Sequence, residues 1–293
     1  MYALFQSFSR LSKLLILLFI LGLVVPLVYP EVKVKEKQPW HIEFLNVEEL
    51  HRYSKGSSQK IGLIDSGISK FQTNSKNIQY IASFDNGIDD IGHGSIMFSL
   101  IKGQRNEILG IAPESELISI KLIESDGEIA PSMMAEAIQK AIDLKCTIIN
   151  LSLGSYESNK LVSQTIDKAL DLGITVVASS GDYGTDEMMF PARHEGVISV
   201  GALDKNGDVT SFTNAPIRTT INFPGEEIMG VGLDGEKIMT SGTSQATALL
   251  TGYIALIKDF QKHNKNELNN DELRKLLSEI EEKDYLSAFS ELN

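Results

Sequence analysis

Three residues far apart in the chain have the side chains that acyl transfer requires: Asp65 in KIGLIDSG, His93 in GHGS and Ser244 in TSGTSQATALLTG. A serine hydroxyl is a poor nucleophile until a neighbouring imidazole takes its proton, and that imidazole needs an anion to fix its tautomer and stabilise its cation. Aspartate, histidine and serine together supply orienter, general base and nucleophile. Each also has a plainer reading. Ser244 stands where a glycine-containing turn gives way to an apolar run, a place where a hydroxyl caps a helix. Asp65 opens the tight turn DSG, where a carboxylate forms an Asx-turn or a cap. The remaining histidines, His41, His51, His194 and His263, have polar or loop surroundings and are expected to be exposed.

The elements around these residues decide whether they can meet. KIGLID, IQYIASF, LISIKLI, TIINLSL, ITVVAS and GVISVGAL are rich in Ile and Val and bounded by Gly, Asp or Ser, as buried strands are. Between them GSIMFSLIK, PSMMAEAIQKAIDL and NKLVSQTIDKALDLG repeat apolar residues at three and four, the period of helices. Strands alternating with helices give an α/β, three-layer sandwich: a mostly parallel central sheet with helices on both faces. In such sheets chemistry collects at the carboxyl ends of the strands, and Asp65 ends the first of them. The tail NNDELRKLLSEIEEKDYLSAF reads as a charged amphipathic helix with a remnant, a packing element.

Composition narrows the field. The 293 residues carry a net charge of −12; residues 1–37 contribute +3 and the rest −15. So negative a body excludes a nucleic-acid partner, which needs clustered Lys and Arg. Cys146 is the sole cysteine, so neither an intramolecular disulfide nor a cysteine zinc site can form, and its setting, LKCTIINLS, reads as a small core residue. From Leu14 to Tyr29 there are 16 residues without a charge, preceded by Arg10 and Lys13. That run is an N-terminal signal-anchor or signal peptide (residues 1–30). The exit LVYPEVKV lacks a small-x-small cleavage site and favours an uncleaved membrane anchor, with secretion after cleavage as the alternative. Either way the bulk of the chain is expected outside the cytoplasm.

IDSG, GHGS and SGTSQA, in the order Asp, His, Ser, resemble the three signature blocks of the subtilisin-like serine peptidases, the subtilases. ILGIAP, TIINLSLG, ITVVASSGD and FPARHEGVISVGAL follow in family-like order, so the resemblance covers about residues 59–258. It implies a subtilisin-like catalytic domain (59–262) after a connector (31–58) with no room for a full propeptide, and a C-terminal helical extension (263–293). It implies a serine endopeptidase with Asp65, His93 and Ser244 as its triad. Ser152, Leu153 and Gly154 match the edge segment that pairs with an extended peptide or protein substrate, with Gly127 and Glu128 on the opposite side.

The departures matter as much. Where the family usually places an asparagine as oxyanion donor, this chain has Asp182 in SSGDYG. An ionised carboxylate there repels the developing oxyanion whereas a protonated one can donate, which implies faster turnover at acidic than at neutral pH. A second reading follows: a pseudoprotease that binds a peptide or partner with an intact triad and a spoiled oxyanion hole. The loop KGQRNEILG is too compact to carry over the family's tight calcium site, so no specific metal ligand and no cofactor are expected, a structural calcium ion staying open as an alternative without identifiable ligands. GVGLDG is followed by EKIMTSG rather than a helix, so it reads as a turn between strands and not as a dinucleotide loop. An α/β-hydrolase esterase needs its acid and histidine after the serine, and only His263, in the polar run QKHNKN, follows Ser244.

Overall fold

Strands covered on both faces must be apolar on both, and the Ile- and Val-rich runs meet that condition. In the computed structural model, which describes residues 38–73, 78–81, 87–104, 107–123, 129–280 and 284–290, they form one parallel sheet. Helices α1 (Trp40–Phe44) and α2 (Val47–Tyr53) precede β1 (Lys60–Asp65) and β2 (Ile78–Ile81). Then come α3 (His93–Lys102), the short hairpin β3 (Gly103–Gln104) and β4 (Ile108–Leu109), β5 (Glu116–Lys121), α4 (Pro131–Asp143) and β6 (Ile148–Leu151). Next are α5 (Lys160–Asp171), β7 (Thr175–Ser179), β8 (Ile198–Leu203), β9 (Ile221–Pro224), β10 (Ile228–Val231) and β11 (Lys237–Thr240). Helices α6 (Thr243–Asn264), α7 (Asn270–Glu279) and α8 (Ser287–Ser290) close the described chain.

The sheet has seven strands in the order β2-β5-β1-β6-β7-β8-β9. The chain lays β2 and β5 on one side of β1 and then crosses to β6 on the other. Ligand sites of open parallel sheets lie at such a switch, beyond the carboxyl ends of the strands. There β1 ends in Asp65, paired with Lys121 at the end of β5, while Ile64 pairs with Leu151 at the end of β6.

Side-chain alternation explains the layers. Ile61 and Leu63 of β1, Ile148 of β6 and Val177 of β7 face a core shared with Met97 and Leu100 of α3 and Leu249, Leu250 and Tyr253 of α6. Ile64, Ile149, Leu151, Val176 and Ala178 face the other way, onto Met134 and Ile138 of α4 and Val162 and Ile166 of α5. Gly62 lies on this second face because a β-carbon there would stand 3.1 Å from Cys146 Sγ and 3.2 Å from Ala141 Cβ. Cys146 is a buried core residue, and burial pushes its thiol up to about 12. Helix α6, with 22 residues, runs about 33 Å and is buried along most of its length.

Pro39–Asn293 form one compact unit. Ile42, Leu45, Val47 and Leu50, from the two helices before β1, join the core on the α6 side, as do Leu273, Leu277 and Phe289 from the tail. The two ends are stitched by aromatic rings: Phe44 stands 6.0 Å from Tyr285, and Tyr53 5.3 Å from Phe289. Asp259 of α6 accepts hydrogen bonds from Ser54 Oγ (2.7 Å) and Ser58 N (2.8 Å), fastening the segment before β1.

The histidines other than His93 are less open than their surroundings in sequence imply. His41 is fully buried rather than exposed, because α1 turns its His41–Ile42 face inward. Burial lowers its pKa to about 3, so the ring is neutral across ordinary pH. His51 and His194 are half-buried, and His263 is exposed as expected. The apolar run from Leu14 to Tyr29 lies outside the described residues, and among those described no helix is long and apolar enough to cross a membrane.

Candidate active site

The first half of the site is built by two turns locked into one another. The DSG turn leaves β1 and the GHGS turn opens α3. Ser66 Oγ accepts a hydrogen bond from Gly94 N at 2.8 Å. A β-carbon on Gly94 would lie 2.2 Å from Gly67 O, so only glycine lets α3 start this close to the end of β1. Gly92 has φ 97°, a left-handed conformation that disfavours any other residue. Gly94→Ala is therefore expected to push α3 off β1, destabilising the fold by about 3 kcal/mol. Denaturant titration measures this loss, and a wild-type midpoint would contradict it.

Asp89 holds this helix start, a role the sequence reading misses. Its Oδ1 accepts from Ile91 N and Gly92 N, both at 2.9 Å, and its Oδ2 from Ser95 N (2.8 Å) and Ser95 Oγ (2.6 Å). It satisfies donors that the first turn of a helix leaves open. The signal is present in DDIGHGS, an aspartate two and three residues before amides that an Asx-turn engages.

These turns bring His93 Nδ1 to 2.8 Å from Asp65 Oδ1. Asp65 is fully buried, while the His93 side chain keeps 31% of its surface. A carboxylate only accepts, so Nδ1 carries the proton and Nε2 is the basic nitrogen. The charge of Asp65 is the main cause of a His93 pKa above the ordinary histidine value; it outweighs the opposing effect of burial, and Asp89 and Asp182 add to the rise.

The second half hangs from α6. Ser244 is the second residue of that helix, and its hydroxyl donates to Ser152 O at 3.2 Å. Ser152 Oγ in return donates to Ser244 O at 3.0 Å, so the end of β6 and the start of α6 are tied in both directions. Behind them Asn150 Nδ2 donates to Ser152 Oγ (3.0 Å) and Thr251 Oγ1 to Asn150 Oδ1 (2.8 Å). Leu153 is half-buried and Gly154 exposed as the chain leaves β6. Gly127 and Glu128 lie outside the described residues.

Asp182 also meets the start of α6. Its Oδ1 accepts from Thr243 N and from Thr243 Oγ1, each at 2.7 Å, and Gly181 N donates to Thr243 Oγ1 at 3.2 Å. One carboxylate oxygen is thereby committed to capping the helix that carries Ser244. Asn214 shapes the same loop by accepting from Tyr183 N (2.9 Å) and Thr185 N (3.2 Å).

A cavity of about 740 Å³ lies elsewhere, at the amino ends of the strands among Gln59, Thr147, Ile174 and Gly196. Among the described residues no group of three or more His, Cys, Asp or Glu side chains is placed to hold a metal ion.

A family model described as "Subtilase family" matches residues 56–283. The chain belongs to the subtilase family of serine-type endopeptidases. Its relatives include a thermostable alkaline protease of Halalkalibacterium halodurans, 30% identical over 233 residues, which are 78% of this chain and 64% of that protein. Subtilisin BL of Lederbergia lenta is 33% identical over 227 residues, 75% of this subtilase and 84% of the relative. Among solved structures a mutant of the protease domain of PatA superposes with a TM-score of 0.74 at 23% identity, covering 80% of this chain and 95% of that one, a likeness of fold.

Proposed function

We propose that this subtilase cleaves extended peptide or protein substrates through an acyl-enzyme, with Asp65, His93 and Ser244 as its triad and Asp182 at the oxyanion position. The observation that supports the reading is the hydrogen bond between buried Asp65 and His93 Nδ1, which leaves Nε2 as the basic nitrogen. The mechanism requires Ser244 Oγ to leave Ser152 O and turn to His93. His93 Nε2 removes the hydroxyl proton, Oγ attacks the scissile carbonyl carbon, and the oxyanion forms beside the first amides of α6. His93 then gives its proton to the leaving amine, and water, activated by the same nitrogen, releases the acyl group. Substrate backbone pairs along Ser152, Leu153 and Gly154.

His93 reverses the pH dependence expected from Asp182 alone. Only neutral His93 accepts the serine proton, and its pKa is raised. Reactivity is therefore expected to rise with pH through a limb above 6.5, the ordinary histidine value, rather than to peak at acidic pH. The test is labelling by a serine-reactive phosphonate from pH 5 to 9, followed by peptide mapping. Incorporation of one label per chain at Ser244, faster at alkaline pH, is expected. Absence of label at every pH would overturn the reading and leave a peptide-binding pseudoprotease. We propose further that the run Leu14–Tyr29 carries the catalytic unit out of the cytoplasm, as a membrane anchor or, once cleaved, as a signal peptide.

A further inference from the structure

The residue after the nucleophile is Gln245, and its carboxamide is only half satisfied. The residue is 5% exposed, and Nε2 lies 2.9 Å from Thr240 Oγ1. Oε1 is closed off from solvent and has no hydrogen-bond partner among the described residues. It has instead another acceptor for a neighbour. Gln245 Oε1 and Asp182 Oδ2 converge on the same side of Gly242, 2.7 and 2.9 Å from the point a β-carbon would occupy there. The two oxygens can be no farther apart than those two distances together, and two acceptors that close, one of them buried and unmet, are unfavourable.

A half-turn of the carboxamide removes both penalties. The Thr240 hydroxyl donates as readily as it accepts, so it can serve Oε1, and Nε2 then takes the place of Oε1 beside Gly242, on the side where Asp182 Oδ2 lies. We propose that Gln245 is a positioning residue: its carboxamide donates to Asp182 Oδ2 and, with Thr243 on Oδ1, holds both carboxylate oxygens away from the oxyanion that forms at Ser244. Asp182 is thereby a secured helix cap whose lone pairs are spent on Thr243 and Gln245. The Ser244 N–H, among the first four of α6 and so without an intrahelical acceptor, is left to meet the oxyanion. The catalytic part of this inference rests on the peptidase reading; the pairing of Gln245 with Asp182 does not.

A double-mutant cycle tests it on the full chain, using Gln245→Met, which keeps length and loses the donor, and Asp182→Ala, which removes its acceptor. In the parent background Gln245→Met is expected to lower kcat about tenfold at pH 8 with KM within twofold, and to lower the thermal midpoint by about 5 °C. In the Asp182→Ala background the same substitution is expected to change kcat less than twofold and the midpoint by less than about 1 °C. Equal midpoint shifts in the two backgrounds would overturn the pairing. Coupled midpoints with uncoupled kcat would overturn the positioning role. A parent that takes no phosphonate would sink the peptidase reading and, with it, that role, while the midpoints still decide the pairing.

Discussion

Replacing Ser244 with alanine is expected to lower kcat by about 10⁶-fold while moving the thermal midpoint by no more than about 4 °C. The two magnitudes separate because the hydroxyl contributes little to the fold: its one hydrogen bond goes to Ser152 O at 3.2 Å, worth about 1 kcal/mol. Ser152 Oγ, Asn150 and Thr251 continue to hold the start of α6 without it. Chemically, the alanine variant has no atom to form the acyl bond, so what remains is catalysis by binding and by the oxyanion donors alone. Turnover of a quenched peptide library and calorimetric melting measure the two effects. A loss of less than a hundredfold would show that Ser244 is not the nucleophile. A fall of more than about 10 °C would show that the variant fails by unfolding rather than by chemistry.

Much of this site is legible in the amino-acid sequence. Asp65 at the end of a strand and His93 beside two glycines are local facts, and the order of strands and helices predicts that such residues gather at one edge of a parallel sheet. The strands are legible because β1, β6 and β7 are covered on both faces, which forces an apolar residue at almost every position. The side-chain partners are not, since they depend on how separate elements approach. Asp182 looks like an oxyanion residue in sequence, and nothing local says that Thr243, 61 positions later, takes one of its oxygens. Thr251 reads as a filler in an apolar helix, yet it holds Asn150 across 101 positions. His41 reads as exposed because a helix of five residues is too short to display a period, and burial there is set by packing against the core.

The charge of Asp65 can be removed with little change of shape, and Asp65→Asn is expected to lower kcat/KM by roughly 10⁴-fold. In the parent, Asp65 Oδ1 accepts from both Ser66 N (2.7 Å) and His93 Nδ1 (2.8 Å), and Oδ2 is buried without a partner among the described residues. An asparagine that keeps its oxygen toward Ser66 N retains the tautomer but offers no anion to stabilise the imidazolium. One that turns its amide toward His93 forces the proton onto Nε2 and blocks the base outright. The pH profile separates them. Because the Asp65 charge is the first cause of the raised His93 pKa, the oxygen-in variant should show its acid limb at lower pH than the parent, with residual activity above it. The amide-in variant should show a uniform loss with no limb to move. Stability gives an independent check on the same pair. A histidine whose pKa is raised by folding contributes stability that is fully present below its unfolded value, near 6.5, and is lost as pH rises through the folded value. The destabilisation caused by Asp65→Asn should accordingly shrink as pH is raised through that window. A penalty that grew across it would mean that Asp65 does not hold His93 as an ion pair.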